Sequence, residues 1–377
     1  MTSNRNTLTP IRVGVIGAGN MGQHHLRFYN MLNKAKLVGV VDIDAGRAKA
    51  LAAEHHCKAF AHIEDLIGKV DAVSIAVPSH LHASIGEFFL NHRVHCLIEK
   101  PLAITEAECL KLIKAAESKN VILLAGHVEH FNPAVLTLAE ILKNAGQIYS
   151  FEAKRMGWNR NHRVPGVDVV LDLMVHDLEI ISFLNEHPIT HISAHGASLH
   201  SNDEMDHVTS LLSFDNDTIA NLGASWISAR KLRTLEVNTE SGTFFLDYSA
   251  QKLLYYRSPE FQINHMKLLQ SEKSSQLYRS EAQLDQIFVR HQEPLLLELQ
   301  NFLQSIDAGV ALGVSGYQAL NALNLAWKIQ AELVATAKQK KKAISAKHDM
   351  KVRNYKNNEI VHDIDVMMTD ASTDVTE

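Results

Sequence analysis

The chain has 377 residues, a formal net charge of −5, and a composition that is 46% hydrophobic and 21% charged. These values are typical of a globular protein with two domains, and the mild acidity argues against a nucleic-acid-binding body, which needs a basic face. No apolar stretch approaches the roughly 18 residues of a membrane span. Three cysteines without CxxC spacing are typical of a reducing compartment. We therefore expect a cytoplasmic protein that binds neither nucleic acid nor membranes.

After a polar N-terminal extension (residues 1–10), the first third of the chain alternates apolar runs with amphipathic stretches. The apolar runs predict strands at Ile11–Ile16, Lys36–Val41, Ala72–Val77, Val94–Ile98 and Val121–Leu124. The amphipathic stretches predict helices at Met21–Leu32, Ala45–His55, His82–Asn91 and Glu106–Lys119. Strands spaced by helices form parallel sheets, and apolar strands are covered by helices on both faces. Residues 11–128 are thus predicted to form an α/β Rossmann domain with a doubly wound parallel sheet.

The pattern changes beyond residue 128, where runs of strands replace the regular alternation. The predicted elements are a helix from Asn132-Pro133 to Asn144, a strand at Tyr149–Met156, a helix at Asp168–Leu184, strands between Ile189 and Tyr256, and helices at Leu284–Ile306 and Gly316–Ala337. Successive strands with short turns indicate an α+β domain over residues 129–337, built on an open, mostly antiparallel sheet. An uncovered sheet face favours self-association, so we expect a homo-oligomer, a dimer or a tetramer.

Residues 338–377 carry a run rich in Lys and Arg followed by an acidic segment. Such segregated charge with few large apolar groups cannot bury enough surface to fold, so we expect a disordered tail. The basic run is also compatible with binding to nucleic acid or anionic lipid. The acidic block opposes such binding, and a solvated extension is the favoured interpretation.

A glycine-rich loop follows the first strand and opens the first helix. It has the spacing Gly17-x-Gly19-x-x-Gly22. In dinucleotide-binding folds the first glycine allows the tight turn, the second lets the backbone approach a pyrophosphate, and the third lets the helix pack on the strand. Asn20 and Met21 begin the helix, whose unpaired N–H groups attract phosphate. A structural turn without a cofactor is the less favoured alternative.

Asp42 ends the second strand about twenty residues after this loop, at the position where an acidic residue binds the ribose diol. A carboxylate there would repel a 2′-phosphate, so we expect NAD as the cofactor. Arg47 lies nearby, so NADP remains an alternative cofactor.

Polar side chains follow two later strands of the predicted sheet, at the edge where parallel sheets bind ligands. One strand is followed by Glu99, Lys100 and Pro101, and another by Pro78 and His82. A lysine in a partly desolvated cleft can take part in acid–base chemistry. A solvated surface pair is the alternative for the Glu–Lys dipeptide.

Asp172 and His176 are four residues apart on an otherwise apolar predicted helix, so both side chains lie on one face. Histidine is the usual proton carrier near neutral pH, and a nearby carboxylate can support it. The alternative is a structural carboxylate and a satisfied core histidine. Neither HExxH nor a Cys/His cluster is present, so we expect no catalytic metal.

Taken together, the glycine loop, the Glu99-Lys100-Pro101 motif and the Asp172/His176 pair resemble the Gfo/Idh/MocA family of sugar and cyclitol oxidoreductases. The resemblance covers residues 11–335. It implies an NAD-dependent dehydrogenase in which Lys100, Asp172 and His176 are catalytic. It also implies that Lys100 and His176 contact the substrate, with Pro78, His82 and Glu99 beside the cofactor.

A narrower resemblance comes from the segments Gly126–Pro133 and Val169–Asp177, which are similar to enzymes acting on UDP-N-acetylhexosamines. It implies oxidation of the 3-hydroxyl of UDP-N-acetylglucosamine for lipid A biosynthesis, with an aminotransferase as a downstream partner. The chain departs from this subgroup at His130, where arginine is usual. We expect Arg155, Arg163 and also Arg160 to supply positive charge for the nucleotide-sugar diphosphate.

Other functions are compatible with the same motifs. An inositol, a free sugar or a UDP-hexosaminuronate could be the substrate of a similar dehydrogenase. A non-catalytic NAD-sensing regulator is an alternative of another class. Such a regulator has no need of Lys100 and His176, and both are present.

Overall fold

The computed structural model describes residues 9–158, 167–199, 204–257 and 284–338. Its first sheet has six parallel strands in the order β3-β2-β1-β4-β5-β6. These are β1 (Ile11–Ile16), β2 (Ala35–Val41), β3 (Lys58–Phe60), β4 (Ala72–Ile75), β5 (His95–Glu99) and β6 (Leu123–Gly126). The chain order reverses at β1 and β4, which makes this a doubly wound sheet and confirms the predicted fold class. The three-residue strand β3 was not predicted.

Four helices connect these strands: α1 (Asn20–Tyr29), α2 (Ala45–Glu54), α3 (His82–Asn91) and α4 (Glu106–Lys119). Shorter 3₁₀ turns occupy Ile63–Leu66, Ser79–Leu81 and Val128–Phe131. The central strand β4 is buried at every residue, as expected for a sheet with helices on both faces. The end of α4 shows how local sequence sets a boundary: Asn120 adopts a left-handed conformation (φ 54°), which terminates the helix.

The second sheet has eight strands in the order β14-β13-β12-β11-β7-β10-β9-β8. They are β7 (Ile148–Trp158), β8 (Ile189–Ala197), β9 (His207–Phe214), β10 (Ile219–Ser225), β11 (Ile227–Thr239), β12 (Gly242–Asp247), β13 (Lys252–Arg257) and β14 (Leu284–Ile287). Only the β7–β10 pair is parallel among the pairs of the described residues. The prediction of a mostly antiparallel second sheet is therefore confirmed.

One face of this sheet packs against α5 (Pro133–Leu142), a π-helical turn (Val170–Met174) and α6 (Val175–Leu184). Side chains on the opposite face, such as Leu211 and Ile219, remain exposed.

The predicted helix at Leu284–Ile306 is wrong over its first ten residues. Leu284–Ile287 forms β14, which pairs with β13, and α7 starts only at Pro294 and runs to Ala308. Proline is well suited to the first turn of a helix and poorly suited to its interior, which explains where the helix begins. Pairing with a neighbouring strand is a long-range effect that the local apolar pattern did not reveal.

The chain then returns to the first domain. Leu299 and Phe302 of α7 belong to the same core as β1 and α1. The final helix, α8 (316–338), contributes to both cores: Leu323 packs in the first domain and Ile329 in the second. The predicted domain boundary near residue 128 thus assigns helix α7 to the second domain, although α7 packs on the first domain. Within the described ranges, no helix is long and apolar enough to cross a membrane.

Candidate active site

The glycine loop lies between β1 and α1, and its three glycines have different surroundings. Gly17 has a φ of +89°, and a Cβ there would lie 2.4 Å from the carbonyl oxygen of Ala76. A Cβ at Gly22 would lie 1.9 Å from the carbonyl oxygen of Gly17. Both positions exclude any side chain. At Gly19 no atom lies within 4 Å of such a Cβ, so the backbone is exposed to an approaching group.

The start of α1 offers its N–H groups to that open space. Gly19 is the N-cap and makes no side-chain capping bond, and Asn20 and Met21 are the first helical residues. Unpaired N–H groups and the helix dipole together attract an anion such as a pyrophosphate. The loop therefore has the geometry that the phosphate-binding prediction requires.

A cleft of about 700 Å³ runs from this loop along the carboxyl ends of β1, β2 and β4. Its walls include Asp42, Ile43, Arg47, Pro78 and His80. The carboxyl ends of strands at a topological switch point form the usual ligand crevice of an open α/β sheet. A cleft of this size and position fits the adenosine part of a dinucleotide.

Asp42 is bonded on both carboxyl oxygens. It accepts hydrogen bonds from the backbone N–H of Ala18 (2.6 Å) and of Asp44 (2.8 Å), and it forms an ion pair with Arg47 at 2.9 Å. Burial raises the pKa of Asp42, but these bonds outweigh that effect and hold its pKa below the usual value. The group is thus an anion in position to accept ribose hydroxyls, and the loop, cleft and carboxylate together fit NAD.

Lys100 follows β5, and its peptide bond to Pro101 is cis. Its ammonium donates hydrogen bonds to the backbone carbonyl of Asp172 (2.9 Å) and to the Oδ1 of the same residue (3.1 Å). About a quarter (23%) of the lysine side chain remains exposed. Lys100 and Asp172, which are 72 residues apart in the chain, are thus in contact.

Asp172 lies in the π-helical turn that precedes α6. The Asp168 carboxylate begins this turn by accepting from the N–H groups of Val170 and Leu171. The second carboxyl oxygen of Asp172 accepts from the indole N–H of Trp226 at 3.1 Å. Both of its oxygens therefore bond to groups other than His176, so Asp172 orients the lysine rather than the imidazole.

His176 is half-buried, one turn further along α6. Its Nδ1 is buried and has no hydrogen-bond partner within the described part of the chain. Burial, followed by the nearby cations of Lys100 and Arg155, lowers the pKa of His176 well below its ordinary value. The imidazole is therefore neutral at physiological pH and can accept a proton.

Arg155 has a different environment from the one predicted for a substrate contact. It lies on β7 and is 2% exposed, and its guanidinium bonds to Asp177 (2.9 Å) and Glu129 (2.8 Å). It also lies over the ring of Tyr248 at 4.8 Å. Because its donors bond to two carboxylates, Arg155 stabilises the interior of the protein and does not face the cleft. Arg160 and Arg163 lie outside the described residues.

Two residues predicted to bind the cofactor have structural partners instead. His82 is buried, and its ring nitrogens bond to the backbone carbonyls of Val77 (2.9 Å) and Pro101 (2.7 Å). It therefore braces the loops that carry Pro78 and Lys100, and its polar atoms are not available to NAD. Glu99 accepts a hydrogen bond from the ring of His25 at 2.9 Å.

Three neighbours of the site were not predicted from the sequence: Trp226, His25 and His127. His127 follows β6 at the same sheet edge as Lys100, and this position after a strand was a signal that could have found it. His25 and Trp226 carry no comparable signal, because an interior helix residue and a strand-end aromatic are common in any core. Among the described residues, no group of three metal-ligating side chains is placed to hold a metal ion.

Comparison with known proteins agrees with this geometry. Residues 11–127 match the model of the Gfo/Idh/MocA oxidoreductase family with its NAD-binding Rossmann fold, and residues 137–245 match the family's C-terminal domain. The UDP-N-acetylglucosamine 3-dehydrogenase of Acidithiobacillus ferrooxidans is 32% identical over 248 residues, which are 66% of this chain and 77% of the relative. Inositol 2-dehydrogenase 1 of Saccharopolyspora erythraea is 38% identical over 144 residues, which are 37% of this chain and 42% of the relative.

A solved structure of the Acidithiobacillus enzyme superposes with a TM-score of 0.77 at 27% identity, covering 87% of this chain and 99% of that one. The glycine loop, the cleft and the lysine–aspartate–histidine set thus occur within a fold shared over almost the whole described chain. The chain belongs to the Gfo/Idh/MocA family of oxidoreductases, which have an NAD-binding Rossmann fold.

Proposed function

We propose that the protein oxidises the 3-hydroxyl of UDP-N-acetylglucosamine to the 3-keto sugar with NAD as the oxidant. The observation that carries the proposal is the pairing of an ammonium group held by Asp172 with the neutral base His176, at the carboxyl edge of a sheet whose cleft fits NAD. The similarity to a UDP-N-acetylglucosamine 3-dehydrogenase supports this choice of substrate.

Each of the three residues has a separate role in this reaction. His176 accepts the hydroxyl proton, because its lowered pKa keeps it neutral before the reaction. Lys100 donates a hydrogen bond to the same oxygen and stabilises the negative charge that develops there. Asp172 positions the lysine through two contacts, and Trp226 positions Asp172. NAD, when bound, supplies the hydride acceptor.

The substrate contacts in this proposal are Lys100, His176 and Arg163, the last as a source of charge for the diphosphate. Arg155 is left out because its guanidinium is bonded within the interior. The 3-keto sugar would then be consumed by an aminotransferase, in amino-sugar synthesis for lipid A.

The proposal also includes a cytoplasmic location and a homo-oligomer. The three cysteines are unpaired, which supports a reducing compartment. The exposed apolar side chains of the second sheet, Leu211 and Ile219, support self-association.

The test is NADH formation, followed by absorbance, with purified protein, NAD and UDP-N-acetylglucosamine. An aminotransferase and an amine donor trap the ketone, because oxidation of an alcohol by NAD is unfavourable at neutral pH. We expect a signal with this sugar and none with inositol, free glucosamine or a UDP-hexosaminuronate. Turnover of inositol in place of the nucleotide sugar would overturn the substrate assignment. NAD binding without turnover of any of them would favour the regulator.

A further inference from the structure

Two histidine rings lie edge to face at the inner side of the catalytic set. The rings of His127 and His176 are 6.3 Å apart between centroids, with planes at 75°. His127 is 1% exposed, and neither of its ring nitrogens has a hydrogen-bond partner within the described residues. The buried Nδ1 of His176 likewise has no hydrogen-bond partner within the described residues. At this separation one water molecule can bridge the two rings through hydrogen bonds of ordinary length.

His127 belongs to a group of carboxyl and imidazole side chains that we call the inner cluster, and all of them except Glu99 are buried. Its members are His25, Glu99, His127, His130, Glu179 and Glu298. They converge from four helical segments and the ends of two strands, β5 and β6. In the β5–β6 register Glu99 is opposite Gly126, which places it beside the residue that precedes His127.

Four members of the inner cluster form two hydrogen-bonded pairs. Glu99 binds His25 at 2.9 Å, and Glu179 binds His130 at 2.8 Å. Glu298, by contrast, is fully buried, and neither of its oxygens has a partner within the described ranges. Burial, together with the charges of Glu99 and Glu179, raises the pKa of Glu298 well above its ordinary value, so this carboxyl is neutral.

Buried polar atoms without a protein partner are usually satisfied by internal water. Six such atoms lie here: the Nδ1 of His25, both ring nitrogens of His127, the Nδ1 of His176 and both oxygens of Glu298. Their number in so small a region points to bound water that links the catalytic imidazole to the inner cluster.

We propose that His127 carries the proton released by the reaction from His176 to Glu179. The proposal rests on the dehydrogenase activity proposed above, which releases one proton for each hydride transferred. The substrate O–H bond breaks, and a new N–H bond forms on the outer nitrogen of His176. The proton on its Nδ1 passes through the bridging water to His127, and His127 passes a proton to the Glu179 carboxylate.

This route moves the positive charge of the released proton away from His176, where neighbouring cations would repel it. A proton kept on His176 would lie near the cations of Lys100 and Arg155. The backbone N–H of His130 donates to the carbonyl of His127 at 3.0 Å, and the ring of His130 bonds to Glu179 at 2.8 Å, which places this carboxylate on the inner side of His127. Its charge raises the pKa of His127 against the larger lowering effect of burial. Transfer to Glu179 therefore replaces repulsion between cations by the neutralisation of a carboxylate. After the products leave, the proton returns by the same route to the open cleft.

The first test is the variant His127→Gln, which keeps hydrogen-bonding atoms but cannot carry a proton. With UDP-N-acetylglucosamine and NAD we expect kcat to fall about 10²-fold, the lower end of the effect of losing a proton-transfer group. The solvent deuterium isotope effect on kcat should rise, and KM should stay unchanged. Glu179→Gln should give the same pattern. His195→Gln, at an exposed histidine on the edge strand β8, is the matched control and should behave as wild type.

Unchanged kcat and isotope effect in both folded variants would overturn the proposal. A second measurement needs no substrate: nitrogen NMR of the histidine rings in the full chain, with and without His176→Asn. We expect the ring resonances of His127 to shift in this variant and in Glu179→Gln, since a water-linked network couples them. Resonances of His127 that respond to neither change would overturn the relay, even if the sugar tested proves not to be the substrate.

Discussion

The cofactor cleft and the catalytic set are neighbours, but they are built in different ways. The phosphate-binding part of the cleft comes from six consecutive residues, Gly17–Gly22, and from backbone atoms that a side chain would obstruct. The catalytic set joins residues 72 and 54 positions apart, Lys100 with Asp172 and Asp172 with Trp226. The first depends on local steric fit, and the second depends on charges held by distant parts of the fold.

This difference predicts which property a substitution in each region should change. A change in the glycine loop should affect cofactor binding and folding, because the loop is a tight contact between two elements. A change in the catalytic set should affect turnover and proton affinity and leave cofactor binding intact. The following variants separate the two regions.

Lys100→Met should give the largest effect. Removal of the ammonium that stabilises the developing charge should lower kcat about 10²- to 10⁴-fold, while the Kd for NAD stays within about twofold. Steady-state kinetics and a binding titration measure the two quantities. Lys114→Met, at an exposed lysine of α4, is the control and should leave kcat unchanged. Near-normal turnover in Lys100→Met would show that the lysine is not catalytic.

Arg155→Met should mainly affect stability. The change leaves Asp177 and Glu129 without their buried cation, which should lower the free energy of unfolding by about 3–5 kcal/mol. Denaturant unfolding measures this difference. In the matched control, Arg12→Met, the ion pair with Asp71 is surface-exposed, and the loss should stay below about 1 kcal/mol. Equal losses in both variants would contradict the assignment of Arg155 to the interior.

Two glycine variants should sharpen the contrast within the loop itself. Gly22→Ala places a Cβ 1.9 Å from the carbonyl oxygen of Gly17, so both folding stability and NAD affinity should fall. Gly19→Ala meets no atom within 4 Å, so stability should remain while the Kd for NAD rises about tenfold or more. Thermal unfolding and NAD titration distinguish the two cases. An unchanged Kd in Gly19→Ala would mean that the pyrophosphate does not approach this position.

The smallest effect concerns stability in mild acid. Burial lowers the pKa of His127 in the folded chain below its ordinary value of 6.5. Below about pH 6.5 the unfolded chain therefore binds more protons than the folded chain, and stability falls as the pH falls. His127→Gln should reduce this slope by up to about 1.4 kcal/mol per pH unit. Equal slopes in the wild type and in His127→Gln would refute the effect.

The sequence predicted the cofactor loop well because its signal is contiguous: an apolar strand, three glycines at fixed spacing, and an acidic residue at the end of the next strand. Lys100, Asp172 and His176 could be proposed from strand-end position, helical spacing and family resemblance. The contact of Trp226 with Asp172 could not be predicted, and neither could that of His25 with Glu99, because both depend on tertiary packing.

The predictions that failed did so for the same reason. Arg155 was predicted from charge near the site, but its buried carboxylate partners come from two other segments. His82 was predicted from its place after a strand, yet both of its ring nitrogens bond to backbone carbonyls. β14 was predicted as helix because its pairing with β13 is a long-range contact.

The most direct test of the central claim follows the hydride itself. UDP-N-acetylglucosamine carrying deuterium at C3 of the sugar should be incubated with the protein and NAD, and the NADH analysed by mass spectrometry. We predict one deuterium in the nicotinamide ring, at wild-type amounts in Lys114→Met and at strongly reduced amounts in Lys100→Met. NADH formed without deuterium, or equal labelling in Lys100→Met, would contradict hydride transfer from this carbon at this site.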